Sequence, residues 1–403
     1  MTTTGASPAR WPDLLRIAEF RGILTAHVIS LLGTAIAQVA LAVLVYQRTE
    51  SPFLTALTFT LSLLPSLVAG TLLSALADRF PARRVLVTCE LLGAAVVALM
   101  AVPGLGLPIL LALVFVLGAT GTVFVGTRAA LLPEVLSPSA YPLGRAMLRV
   151  LANVLQIAGY LVGGALLLFV PVIAALLLDA ATFLVSALLI WRATAAHDLP
   201  ARGAGGVVRA SLDGLRTALR TPRLRSMLLL MWLPPAFAVV PEAVAVVYAG
   251  QNGLDTVGLG VLLTGSLVGA VLGELAVGQY LGDRARQRGV LPLAALLALP
   301  LLGFLFQPSL PFAALLLVLS GLGFGYTLGL DRLLLNAVAG DVRQRVLNLA
   351  ATLPMAAQGL AFAVAGAVAE VVPAHLVIVA GGVLALVTAA LCAGPVLRAG
   401  RAA

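Results

Sequence analysis

Ser74-Ala75-Leu76-Ala77-Asp78-Arg79-Phe80-Pro81-Ala82-Arg83-Arg84 closes one apolar run, and Gly282-Asp283-Arg284 with Arg286 and Arg288 closes another, 205 residues later. Both sites carry an Asp-Arg pair trailed by further arginines. Two more correspondences keep step: Arg128 with Arg332, 204 residues apart, and Arg145 with Arg345, 200 apart. Three matches near one offset read as a duplicated unit, the parallel repeat from which transporters build a central site between two halves.

What lies between the charges is overwhelmingly apolar. Of 403 residues, 61% are hydrophobic and 10% charged, whereas a soluble domain carries roughly 25% charged residues. The mean hydropathy is +1.10. A soluble globular protein is excluded. A membrane-crossing helix needs about 20 apolar residues, and windows of that kind fall at 22–46, 53–77, 85–102, 108–126, 146–168, 171–191, 226–248, 258–281, 289–306, 311–330, 346–370 and 374–397. The expected fold is an all-α membrane protein of twelve transmembrane helices in two six-helix repeats. Cys89 and Cys392 both sit inside apolar windows, so they read as small buried hydrophobes and not as a disulfide framework.

The formal charge of +9 comes from 25 basic residues, all arginine, against 16 acidic ones. They do not gather on an aromatic-interleaved face, so nucleic acid is not an expected partner. With both termini on the cytoplasmic side, 24 of the 25 arginines fall inward and only Arg48 outward, which is the positive-inside pattern and favours an even number of spans. The one long polar stretch, Trp191 to Arg225, divides the chain into a bundle at 1–191, a linker at 192–225 and a bundle at 226–403. Within the linker, Val208, Leu212, Leu215 and Leu219 recur at helical spacing while Arg209, Arg216 and Arg220 lie off that stripe. This describes either an amphipathic helix on the inner leaflet or a solvated tether. The N-terminal segment has no short apolar core followed by a small-residue cleavage site, so it does not read as a cleaved signal peptide.

The loop quoted first resembles that between spans two and three of the major facilitator superfamily, Gly-x-Leu-Ala-Asp-Arg-x-Gly-Arg-Lys. Leu76, Ala77, Asp78 and Arg79 match, while Ser74, Pro81 and Ala82 depart from it. A narrower resemblance, to the branch of enterobactin exporters and macrolide-efflux proteins, is carried by Asp179 to Ala187 in span six. Gly214-Leu215-Arg216 with Pro222 to Arg225, and Arg128-Ala129-Ala130-Leu131-Leu132-Pro133, carry it too. Gly159-Tyr160-Leu161-Val162-Gly163-Gly164 is similar to the Gly-Pro-x-x-Gly-Gly of antiporter fifth spans, with Tyr160 in place of proline. Thr34 stands where that branch often has an acid, and Glu274 where a small residue is usual.

The resemblance implies alternating access, with Asp78 capping the N-terminus of span eleven and pairing with nearby arginines to close the cytoplasmic side. Arg79, Arg83 and Arg84, and in the second half Asp283 and Arg284, complete that gate; solvated loop charges are the plainer reading. Carboxylate-to-helix and charge-assisted bonds are each worth on the order of 1 kcal/mol, enough in small numbers to bias a two-state rocker.

No catalytic constellation is present. His27, His197 and His375 are scattered, and the chain has neither a Gly-x-Ser-x-Gly elbow nor a phosphate-cradling glycine loop, so an enzyme is not expected and no cofactor is called for. Ionisable groups inside spans are costly and functional by default. Glu274, Asp179 and Glu242 are therefore the candidates for proton coupling, with Glu274 preferred because eighth spans line the cavity. For Asp179 a structural hydrogen bond to a neighbouring helix is the alternative. Glu90, within two turns of the cytoplasmic end of span three, is placed where a side chain can snorkel. The family's usual cavity helices offer Gln38, Asn153, Gln156, Tyr160, Trp232, Tyr326 and Gln358 among aliphatic residues, a wall suited to a lipophilic substrate, although each of these also reads as a packing contact. The expected protein is a monomeric, proton-coupled exporter of a lipophilic small molecule in a bacterial plasma membrane. An importer of the same fold, or a non-transporting scaffold or sensor, is the alternative.

Overall fold

The computed structural model describes residues 11–65, 80–137, 140–195, 197, 221–337 and 343–401. Among them the regular structure is helical and contains no strand. That is the economical solution in hydrocarbon, where each helix satisfies its own backbone hydrogen bonds. The elements are α1 (Trp11–Arg16), α2 (Ala18–Thr49), α3 (Pro52–Leu63), α4 (Ala82–Met100), α5 (Leu107–Val135), α6 (Tyr141–Leu166) and α7 (Val172–Ala193). Then follow α8 (Pro222–Ala238), α9 (Val240–Ala243), α10 (Ala245–Gln251), α11 (Thr256–Tyr280), α12 (Asp283–Arg288), α13 (Val290–Ala298), α14 (Leu310–Leu322), α15 (Tyr326–Ala337), α16 (Arg343–Ala369) and α17 (Ala374–Arg401).

Eight helical stretches among the described residues are long and apolar enough to cross a bilayer, and three shorter apolar ones accompany them. With α4 they occupy the twelve windows marked by the sequence. The windows miss in two instructive places. α5 runs on to Val135, well past window 108–126, because Thr-Arg-Ala-Ala-Leu-Leu continues the helix. Arg128 therefore lies within a helix and not in a loop. Window 226–248 is not one helix: Pro234, Pro235 and Pro241 each lack a backbone donor, and the segment breaks at Val239 and Val244 into α8, α9 and α10. A 3₁₀ segment, Leu299–Phe306, with Pro300 near its start, extends α13 and stops at Gln307 in the left-handed region (φ 47°).

The chain divides into two compact units, one of residues 1–40, 68–163 and 170–204, the other of 41–67, 164–169 and 205–403. In the first, α4 packs on α5 and α7 around Ile23, Ala26, Leu86, Leu131 and Ile190. At one end the Glu19 carboxylate accepts from the Ala195 amide at 2.9 Å and lies 3.0 Å from His197 Nε2. The His197 carbonyl in turn accepts from Ala82 at the start of α4. Leu91, Leu92, Leu177, Leu184 and Leu188 stay exposed on the outer faces of α4 and α7, as a lipid-facing surface requires.

In the second unit, α8 and α17 pack together, and Met227, Leu230, Leu297 and Leu330 belong to its core. Gly269 of α11 and Gly321 of α14 meet backbone to backbone, and a methyl on either would run into the other helix, the small-residue contact of membrane helices. α3 packs on α16. Ser51 caps α3 by accepting from the Leu54 amide, and Glu370, just past α16, accepts from the Ser51 hydroxyl and, at 2.9 Å, from the Phe53 amide.

Candidate functional site

Four ionisable side chains converge inside the first unit, each from a different helix. α2 presents His27, Ser30 and Thr34 on one face, since residues three, four and seven apart line up along a helix. α4 brings Glu90, α5 Arg128 and α7 Asp179. Asp179 is fully buried, His27 is 7% exposed and Glu90 3%; Glu90 does not snorkel, because eight residues into α4 it faces the helix interface and not the headgroups. The Glu90 Oε1 accepts from the Ser30 hydroxyl at 3.5 Å, while Oε2 has no hydrogen-bond partner. Asp179 Oδ1 accepts from the Thr182 hydroxyl at 3.2 Å, and Oδ2 likewise has no partner. On the four ionisable side chains, His27 Nε2 and one terminal guanidinium nitrogen of Arg128 are unsatisfied as well, and the Ser186 hydroxyl of α7 is a further buried polar group without a partner. Buried polar atoms without partners are costly, and finding four in one region marks it as more than packing.

Sequence makes room for this cluster. Gly33 faces Asp179 and Thr182, and a Cβ there would overlap the Thr182 hydroxyl and crowd the carboxylate. Beside Glu90 a cavity of about 160 Å³ is lined by His27, Ser30, Thr34, Glu90, Phe124 and Phe183 among others, enough for several waters. The Arg128 guanidinium lies 5.8 Å above the Phe124 ring and within electrostatic reach of Glu90 and His27.

Of the residues singled out from sequence, three meet in this unit. The Tyr160 hydroxyl is 3.0 Å from both Gln38 Oε1 and Gln156 Nε2, donating to the first and accepting from the second. Gly159 and Gly163 let α6 lie against Ala35 and Ile36 of α2. Asn153 is half-buried. In the second unit Tyr326 and Trp232 belong to the apolar core, with the Tyr326 hydroxyl donating to the Leu230 carbonyl at 2.6 Å. Gln358 is half-buried on α16, Glu274 half-buried on α11, and Glu242 half-buried in the broken stretch at α9. Asp78 and Arg79 lie outside the described residues, as do the proposed linker helix and the side chains of the first turns of α16. Arg83 stacks over Trp191 at 5.4 Å, whereas Arg84 and Arg284 are exposed. Asp283 opens α12, and the neighbouring Arg286 donates to the carbonyls of Val277 and Gly278 near the end of α11. Sequence reasoning read Glu90 as a snorkelling acid, Arg128 as a repeat marker and His27 as one of three scattered histidines, and gave none of them a place in a site; the available signal was the His27-Ser30-Thr34 spacing inside an otherwise apolar window.

Comparison with known proteins identifies the fold. A variant of the nucleoside transporter NupG superposes with a TM-score of 0.77 at 12% identity, covering 93% of this chain and 99% of that one. A variant of the peptide transporter POT in complex with alafosfalin gives 0.71 at 13% identity, covering 98% and 97%. A bacterial homologue of the iron transporter ferroportin, in an inward-facing state, gives 0.67 at 14%, covering 96% and 99%. Identities this low speak for the fold alone. No curated protein matches in sequence. The sequence profile of the Major Facilitator Superfamily, however, matches residues 23–346, most of the chain, and the helical membrane architecture agrees with it. The chain belongs to the Major Facilitator Superfamily and is a multi-pass membrane transporter of small molecules, not an enzyme.

Proposed function

We propose that this transporter exports a lipophilic small molecule by proton-coupled alternating access, in the manner of the efflux branch it resembles. The observation that carries the substrate class is a cavity of about 280 Å³ in the second unit. It is lined by Leu233, Phe237, Val240, Leu360, Val364 and Leu384 among others, with no charged residue on its wall. A pocket of this size approaches the lower end of the roughly 300–1,000 Å³ of small-molecule sites, and its chemistry suits an apolar ligand. Without a nucleotide-binding motif, uphill movement draws on an ion gradient, and the intramembrane acids Asp179, Glu274 and Glu242 are the groups available to carry protons. The six-helix halves, 1–191 and 226–403, move about the 192–225 linker, with both termini cytoplasmic in a bacterial inner membrane. The antiporter-like Gly159 to Gly164 segment supports export. Expression should lower steady-state accumulation of a lipophilic dye in energised cells. Oriented vesicles that instead concentrate the dye from the outer face would establish import, and a protein without effect on any lipophilic probe would remove the substrate class.

A further inference from the structure

Within the first unit, the turn from α5 to α6 sets two basic helix faces along one space. On α5, Arg128 and Leu132 lie four residues apart; on α6, Tyr141, Arg145 and Arg149 follow at the same spacing with Leu148 beside them, so each set shares one side of its helix. These side chains line a cavity of about 730 Å³, whose wall among the described residues is otherwise aliphatic and carries no acid. That volume falls within the roughly 300–1,000 Å³ of small-molecule sites. None of the three arginines forms an ion pair with a described carboxylate. Glu134 of α5 is exposed and does not line the cavity, and Glu90, although within electrostatic reach of Arg128, borders a different one.

We propose that the cavity between α5 and α6 binds an amphiphilic oxyanion, a phosphate or carboxylate head on an aliphatic tail, with Arg128, Arg145 and Arg149 around the head and Leu132 and Leu148 along the tail. Two of the arginines are steadied by aromatic rings: Arg145 lies 5.7 Å from the centre of Tyr141 and Arg128 5.8 Å from that of Phe124. A ring engages the guanidinium through its charge and accepts no conventional hydrogen bond, so the N–H fork stays available for the paired bonds that carboxylate and phosphate accept. Arg128 also keeps a terminal nitrogen buried and without a partner, which is costly until an acceptor arrives. Like charges along a wall of low dielectric repel one another, and an anion relieves that repulsion. A neutral lipophile would leave the three charges uncompensated, and an inorganic anion would leave the aliphatic wall unfilled. The site is additional to the apolar cavity of the second unit and depends neither on the direction of transport nor on proton coupling.

The test is calorimetric titration of the full-length protein, in an uncharged maltoside detergent, with dodecyl phosphate. Binding should be saturable at one molecule per chain. Dodecylphosphocholine, the same tail under a head of no net charge, and inorganic phosphate, the head without a tail, should each bind at least about tenfold more weakly. Arg145 and Arg149 are exposed, so their replacement spares the core; Arg145→Gln and Arg149→Gln should each weaken dodecyl phosphate about tenfold or more, the loss expected for a charged hydrogen bond. Arg192→Gln, at an exposed arginine near the end of α7 and off the cavity wall, should bind as the wild type does. Equal losses at Arg192 would mean attraction by net charge alone and would overturn the site, as would wild-type affinity in the Arg145→Gln, Arg149→Gln double variant or the lack of saturable binding. Should the glutamine variants unfold, Arg145→Lys and Arg149→Lys keep the charge without the fork and should still weaken binding; unchanged affinity in both counts against the site. Competition separates the sources of the head. Displacement of dodecyl phosphate by dioleoyl phosphatidylglycerol but not by dioleoyl phosphatidylcholine assigns it to a membrane lipid, and displacement by neither assigns it to a single-chain anion from solution; both uphold the site. Equal displacement by the two lipids would show no selection for charge and overturn it.

Discussion

Tyr160 stands in place of the proline of the antiporter motif that Gly159 to Gly164 resembles, and its side chain has a structural task of its own. Its hydroxyl ties Gln156 on its own helix to Gln38 on α2, while its backbone donor keeps α6 continuous where proline would remove a hydrogen bond. Tyr160→Phe leaves two amide groups without this partner, and an unsatisfied buried group costs about 1–3 kcal/mol. The expected result is a lower melting temperature in detergent, with Gln38→Leu in the same background recovering part of the loss. Gly33 answers to sterics in the same region. Gly33→Ala places a methyl on the Thr182 hydroxyl and beside Asp179, and overpacking of this kind costs about 1–3 kcal/mol. Thermal unfolding of Gly33→Ala paired with Thr182→Ser should leave the penalty in place, since the serine hydroxyl still occupies the space.

Among the helices, the junction of α3 and α16 is the most sharply specified. Glu370 accepts from the first turn of α3, a carboxylate set against the positive end of a helix, and Gly366 leaves room for Ala56 beneath it. Phe59 and Phe362 meet edge to face, 5.8 Å apart, and the Thr60 hydroxyl donates to the Gly359 carbonyl at 3.0 Å. Glu370→Ala removes a cap worth about 1 kcal/mol and unties the two helices. A cysteine at Ala56, buried in the parent, should then react faster with an impermeant thiol reagent; unchanged labelling would mean that the apolar contacts alone hold the junction. A cytoplasmic gate at Asp78 is what the resemblance of the loop motif implies. Asp78→Asn keeps the size of the side chain and removes its charge, so transport should collapse while substrate binding persists. A variant with full transport would return Asp78 to the role of a solvated loop charge.

For the whole molecule, the arginine distribution makes the strongest demand. If 24 of 25 lie inward, cysteines at Ser211 and Gln251 should label from opposite sides of the membrane. Labelling from one side would end the twelve-span topology. The helices themselves were legible because hydropathy acts locally: a run of about 20 apolar residues is sufficient for a span wherever its neighbours go. Breaks and overruns were less legible. α5 continues through Arg128 because helix propensity outlasts the apolar window, and the seventh window fragments at its prolines, whose spacing was readable but whose consequence depends on what packs around the freed carbonyls.

Composition and periodicity determined by themselves that this chain is a helical membrane protein built from a repeated unit, since those properties sum over residues without reference to partners. The Asp-Arg loops were enough to point to the superfamily. The convergence of His27, Glu90, Arg128 and Asp179 was decided only by tertiary structure. Each sits on a separate helix, and a sequence shows which residues share a helical face but not how that face is turned toward its neighbours. That rotation is set by glycines such as Gly33 and Gly159, where one helix backbone is close enough to another that nothing larger than hydrogen fits.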